Sequence, residues 1–138
     1  MKRRIRNKLK KRNRVELVRA IYEGHFGKVK RLVRNDSDAT NKDEDGWAPL
    51  HWATQECQIE IIQFLLSMGA NINTRDNYGF SPLYQVASEG RIELVGFLLN
   101  NGAKIDIKSS DGTTPLIIAS FYGNLENSKV FSGKRCRH

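Results

Sequence analysis

His51 and Cys57 are the first residues to test for chemistry, because a nucleophilic thiol beside an imidazole base is a common catalytic pair. Six residues apart, they would sit about 240° around a shared helix and point away from each other. That spacing argues against catalysis. A calcium loop is the next candidate. Asn41, Asp43, Asp45 and Gly46 match the start of a calcium-binding loop, but its twelfth position falls on Trp52, where a bidentate Glu is required. A solvated acidic turn fits these residues better. Cys57 and Cys136 have no metal-ligand spacing, and their number suits reduced thiols in a cytosolic or nuclear protein. No glycine loop with phosphate-cradling spacing is present. The expectation is a protein that is not an enzyme and needs no cofactor or metal.

What positions these residues is a repeat. Pro49, Pro82 and Pro115 are the chain's 3 prolines, and each lies 33 residues from the next. Gly46, Gly79 and Gly112 keep the same step, as do Leu50, Leu83 and Leu116. Gly69-Ala70 and Gly102-Ala103 close successive units. A period of this length marks stacked helical modules that work by presenting a surface. Within each module a glycine turn leads into a small or hydroxylated residue, then Pro-Leu and a short helix. Ser81 and Thr114 can cap that helix, with proline at its first position, where the missing N–H costs nothing. Ala48 lacks the hydroxyl and forgoes about 1 kcal/mol of capping. Ala53, Ala87 and Ala119 are small residues for close helix approach. A second helix follows, with Ile59, Ile61, Ile62, Leu65 and Leu66 in one unit and Ile92, Leu94, Val95, Leu98 and Leu99 in the next, on a helical rhythm. Cys57 fills a slot that is glycine at positions 90 and 123. If that slot is left-handed, its β-carbon costs about 1–2 kcal/mol.

The first unit is degenerate. Leu17, Ala20 and Leu32 keep the register of Leu50, Ala53 and Leu65, with short helices expected near 16–23 and 27–34. After Glu126 the pattern fails, because Asn127, Ser128 and Ser132 stand where apolar residues are due.

The stretches GWAPLHWATQECQIEIIQFLLSMGA, GFSPLYQVASEGRIELVGFLLNNGA and GTTPLIIASFYGNLE resemble ankyrin repeats over about residues 16–126. The resemblance implies an all-α solenoid of about four helix-turn-helix units, the first degenerate and the last incomplete. The expected division is a basic extension at 1–14, repeats at 15–42, 43–75, 76–108 and 109–126, and a divergent basic tail at 127–138. His51 matches the family histidine, while Tyr84 and Ile117 replace it elsewhere. Asp43 and Asp76 match the turn aspartate, which becomes Ser109 in the fourth unit. These departures are expected to weaken hydrogen bonding between turns, most of all toward the C-terminal end. The family binds partners on the concave face formed by turn tips and inner-helix ends. Carried over, that face comprises Asp45, Trp47 and Glu56, then Tyr78, Phe80 and Glu89, then Asp111, Phe121 and Tyr122. It holds aromatics and acids but no base, which would favour a basic, partly apolar protein segment. Trp47 and Phe80 also have a purely structural interpretation, as packing between turns.

Charge divides the chain further. The net charge is +8. Residues 1–14 hold nine Lys and Arg and no acid, residues 15–126 ten bases and fifteen acids, and residues 127–138 four bases and no acid. Lys2, Arg3, Arg4, Lys8, Lys10, Lys11 and Arg12 have the density of a nuclear import signal, which would make an importin a partner. Phosphate or anionic-lipid contact and a solubilising cap are the competing roles. Ile5 and Leu9 would give a helical extension one weak apolar stripe. Hydrophobic residues make up 39% of the chain and form no long uninterrupted run, so neither a membrane span nor a secretory leader is expected. The sequence therefore suggests a monomeric adaptor or regulator in cytoplasm or nucleus. The alternatives are a nuclear regulator held to nucleic acid by the basic arm without sequence-specific recognition, or the repeat fragment of a larger multidomain protein or enzyme.

Overall fold

The computed structural model describes residues 2–114. They form seven α-helices and, among the described residues, no strand. Pro115, Ala119, Phe121, Tyr122 and the expected divergent tail lie outside the described residues. The chain divides into two compact units, Met1–Ala70 and Asn71–His138.

The first unit carries α1 (Lys2–Glu23), α2 (Phe26–Leu32), α3 (Asp36–Thr40), α4 (Pro49–Gln55) and α5 (Ile59–Ser67). The helix expected near 16–23 is the end of a much longer one: α1 runs unbroken from the basic segment into the first repeat, spanning about 33 Å at 1.5 Å per residue. Leu17, Ala20 and Ile21 share one of its faces and are buried, and α1 packs on α2 and α4. Val29, Val33, Leu50, Ala53, Ile61, Ile62 and Leu65 complete that core. Phe26 meets Phe64 edge to face at 5.8 Å, fastening α2 to α5. The short α3 stands where the repeat pattern predicts no helix. Asn35 starts it, its Oδ1 accepting from the N–H of Asp38 at 2.9 Å, and Ala39 anchors it in the core.

In the second unit, α6 (Pro82–Ser88) and α7 (Ile92–Asn100) pair. They bury Leu83, Val86, Ala87, Leu94 and Leu98. The apolar rhythm is only partly used here, because Ile92 and Leu99 on α7 are exposed.

The turns between helices follow the expected chemistry. Cys57 takes φ +54° where Gly24 and Gly90 take +75° and +69°, so the slot is left-handed in all three units.

Candidate protein interface

Each turn preceding a Pro-Leu helix is built around one carboxylate. In the first unit, Asp43 N–H donates to Trp47 O at 2.9 Å and Gly46 N–H to Asp43 O at 3.0 Å, closing the turn. Asp43 Oδ1 accepts from the N–H groups of Asp45 and Trp47, and Oδ2 from the indole Nε1–H of Trp52 at 3.2 Å. The carboxylate of Asp43 is thus committed to shaping the turn. Asp76 repeats the pattern in the second unit, with backbone bonds to Phe80 and Gly79 and Oδ1 accepting from Tyr78 and Phe80.

Ser109 has no carboxylate, yet its turn closes the same way, with Ser109 N–H to Thr113 O at 2.8 Å and Gly112 N–H to Ser109 O at 3.0 Å. The acid has moved two residues along. Asp111 Oδ1 accepts from the Ser109 hydroxyl, the Thr113 hydroxyl and the Thr113 N–H. The Ser109 hydroxyl, then that of Thr113, hold its carboxyl below the ordinary aspartate range. Thr113 Oγ1 also bonds the Tyr84 hydroxyl at 2.7 Å, and Ser110 N–H donates to Tyr78 O at 2.8 Å. Turn-to-turn hydrogen bonding is therefore present at this position, where loss of the family aspartate and histidine implied weakening. Tyr84 reaches farther than a histidine would and ties one turn to the next.

His51 is fully buried, and its Nδ1 accepts from Ala48 N–H at 3.1 Å. An accepting Nδ1 places the proton of the neutral ring on Nε2. The ring supplies half of a capping box at a helix whose N-cap alanine offers no oxygen. On α6 the usual cap is present, with Ser81 Oγ accepting from Tyr84 N–H at 3.1 Å.

The aromatic residues of the expected partner face differ in role. Trp47 is half-buried, 4.7 Å from the Trp52 ring and 5.6 Å from His51. Phe80 is half-buried and stacks on Tyr84 at 4.5 Å. Tyr78 lies 5.9 Å from Phe80 and is 65% exposed, the outer ring of a three-membered stack. The acids separate as well. Asp45 is exposed and Glu56 half-buried. Glu89 Oε2 lies 2.8 Å from Nε of the buried Arg91, so this carboxylate is held by a base two residues on, across the loop between α6 and α7, which the sequence-derived face did not include. Sequence reasoning also missed Trp52, which registered only as the wrong residue for a calcium loop. Its signal was its position on the first turn of a Pro-Leu helix, facing back to Asp43.

The basic side chains Lys2, Arg3, Arg4, Lys8, Lys11 and Arg12 are exposed along α1. Among the described residues no helix is long and apolar enough to cross a membrane, and no three His, Cys, Asp or Glu side chains gather as a metal site would require.

A family model described as ankyrin repeats (3 copies) matches residues 17–109 and 68–136. Protein phosphatase 1 regulatory subunit 27 of Mus musculus is 38% identical over 52 residues, covering 38% of this chain and 34% of the relative. The 2-5A-dependent ribonuclease of Mus musculus is 40% identical over 57 residues, covering 40% of this chain and 8% of the ribonuclease. The 26S proteasome non-ATPase regulatory subunit 10 of Mus musculus is 38% identical over 53 residues, covering 38% of this chain and 23% of that subunit. The matched region thus spans about a third of the phosphatase subunit and less of the other two.

Proposed function

The chain belongs to the ankyrin-repeat family, whose repeats are protein-interaction modules, and on that premise we propose that it is a non-enzymatic adaptor or regulator gripping a basic, partly apolar protein segment. Each unit contributes its own turn tips and inner-helix ends: Asp45, Trp47 and Glu56 on the first, and Tyr78, Phe80 and Asp111 on the second. Tyr78 carries this proposal. A tyrosine 65% exposed at a turn tip, backed by Phe80 and Tyr84, is a rigid aromatic anchor with its packing already in place. The regulatory subunits among the relatives agree with such a role.

The test is affinity capture with intact protein beside a Tyr78→Ala, Asp45→Lys, Glu56→Lys variant. Trp47, Phe80 and Glu89 are left alone because they support the fold. Partners lost from the variant while its helical circular dichroism is unchanged support the assignment; an identical partner set refutes it. The exposed bases of α1 support a second element of the proposal, nuclear placement through Lys2–Arg12. Deleting residues 2–12 should leave a tagged protein outside the nucleus, and unchanged distribution removes that role.

A further inference from the structure

Helix α1 has a second face. Arg4, Lys8, Lys11, Val15, Val18 and Tyr22 follow one another at intervals of four, three, four, three and four, which aligns them on one side. The buried residues Leu17, Ala20 and Ile21 lie on the other side. The outer stripe is basic in its N-terminal half and apolar in its C-terminal half. Val15 is 56% and Tyr22 64% exposed, unusual for apolar and aromatic residues of a helix that already has a buried face.

At the junction of the two halves is a cavity of about 300 Å³. Val15 and Val18 of α1 and Trp52 of α4 give it apolar walls, α1 adds the bases Lys11 and Arg14, and the turn before α4 adds the acids Asp43, Glu44 and Asp45. The volume is at the lower end for ligand sites and suits a single large side chain. Trp52 is fixed in advance by its bond to Asp43, so little order is lost when its ring is covered.

We propose that this stripe and cavity form a second docking surface, which shares Asp45 with the turn-tip face but not Tyr78, for an acidic peptide segment with one aromatic or large aliphatic anchor. The anchor fills the cavity over Val15, Val18 and Trp52. Acidic residues on one side of it run along Lys11, Lys8 and Arg4, and a basic residue on the other side meets Glu44 and Asp45. Charge fixes this orientation, because an acid placed beside Asp45 is repelled. The same acids and the apolar walls disfavour nucleic acid, whose phosphates would have to pass the acidic turn.

The probe is a fluorescein-labelled heptapeptide of four acidic residues, a leucine, a tryptophan and a lysine, titrated with intact protein by fluorescence anisotropy. Saturable binding is expected, falling at least about tenfold for Lys8→Glu with Lys11→Glu and at least about tenfold for Val15→Ser with Val18→Ser, the tenfold step being about 1.4 kcal/mol. A peptide with alanine for tryptophan should lose binding to the unaltered protein equally, which separates anchor loss from any misfolding of the valine variant. Tyr78→Ala should bind the peptide normally, so failure here is distinct from failure of the turn-tip face. The proposal is overturned by indifference to the tryptophan or to the valines. A single-stranded oligonucleotide or phosphatidylserine vesicles binding as tightly and with the same indifference would leave only a polyanion site. A self-association dissolved by the valine substitutions would make a second copy the occupant and equally overturn it.

Discussion

Ala48 and Ser81 occupy the same place in consecutive repeats and meet the same need unequally. Ser81 accepts from the backbone of Tyr84, whereas Ala48 relies on His51 returning a bond to its own N–H. Restoring the missing oxygen should complete the box, so Ala48→Ser should raise stability by about 0.5–1 kcal/mol in urea unfolding. A neutral or destabilising result would show that the His51 bond leaves no room for it. Asp111 offers a second residue-scale test. Its carboxylate accepts three hydrogen bonds from Ser109 and Thr113, and these favour the charged form. A depressed folded value means the turn's contribution is complete above the ordinary aspartate range and is lost as pH falls through that lower value. Carbon-detected NMR titration should place Asp111 below the ordinary aspartate range, and Ser109→Ala should move it back up. Titration of Asp111 within the ordinary range would refute the network.

At the scale of elements, left-handed glycines at a turn tip and at the close of a repeat differ in cost. Gly79 and Gly102 both have positive φ, at +81° and +95°. Among the described residues a β-carbon at 102 meets nothing within 4 Å, but at 79 it would lie 2.8 Å from the backbone nitrogen of Ser110. Gly102→Ala should therefore cost only the left-handed strain, about 1–2 kcal/mol. Gly79→Ala should cost a further 1–3 kcal/mol or so, because the two turns must part. Thermal unfolding of the two variants separates these terms, and equal losses would mean the turns are not in contact. The helices that such turns connect were readable from proline and leucine spacing, because Pro-Leu starts and glycine stops are local signals. The helix α3 was not readable in the repeat pattern, since it hangs on a single Asn35 cap and the burial of Ala39. The reach of α1 through residue 14 was also hidden, because charge density signals exposure without fixing the backbone.

Across the whole molecule, an acidic repeat body carries a basic helical arm, and the two present different chemistry to partners. The repeats were legible because a 33-residue step recurs at many positions; the partner face was legible only as a family property. Side-chain contacts then sorted its residues: Tyr78 remains outward, Trp47 and Phe80 support the turns, and Glu89 is held by Arg91. No linear pattern reveals that Trp52 completes a cavity with α1, because the two segments are more than thirty residues apart. The central claim is that partners engage the turn tips. The direct test is photo-crosslinking in cells with benzoylphenylalanine replacing Tyr78, beside the same probe replacing the exposed Glu93 on α7. A partner captured from position 78 and absent from position 93 is the predicted result. Capture from position 93 with none from position 78 would contradict it.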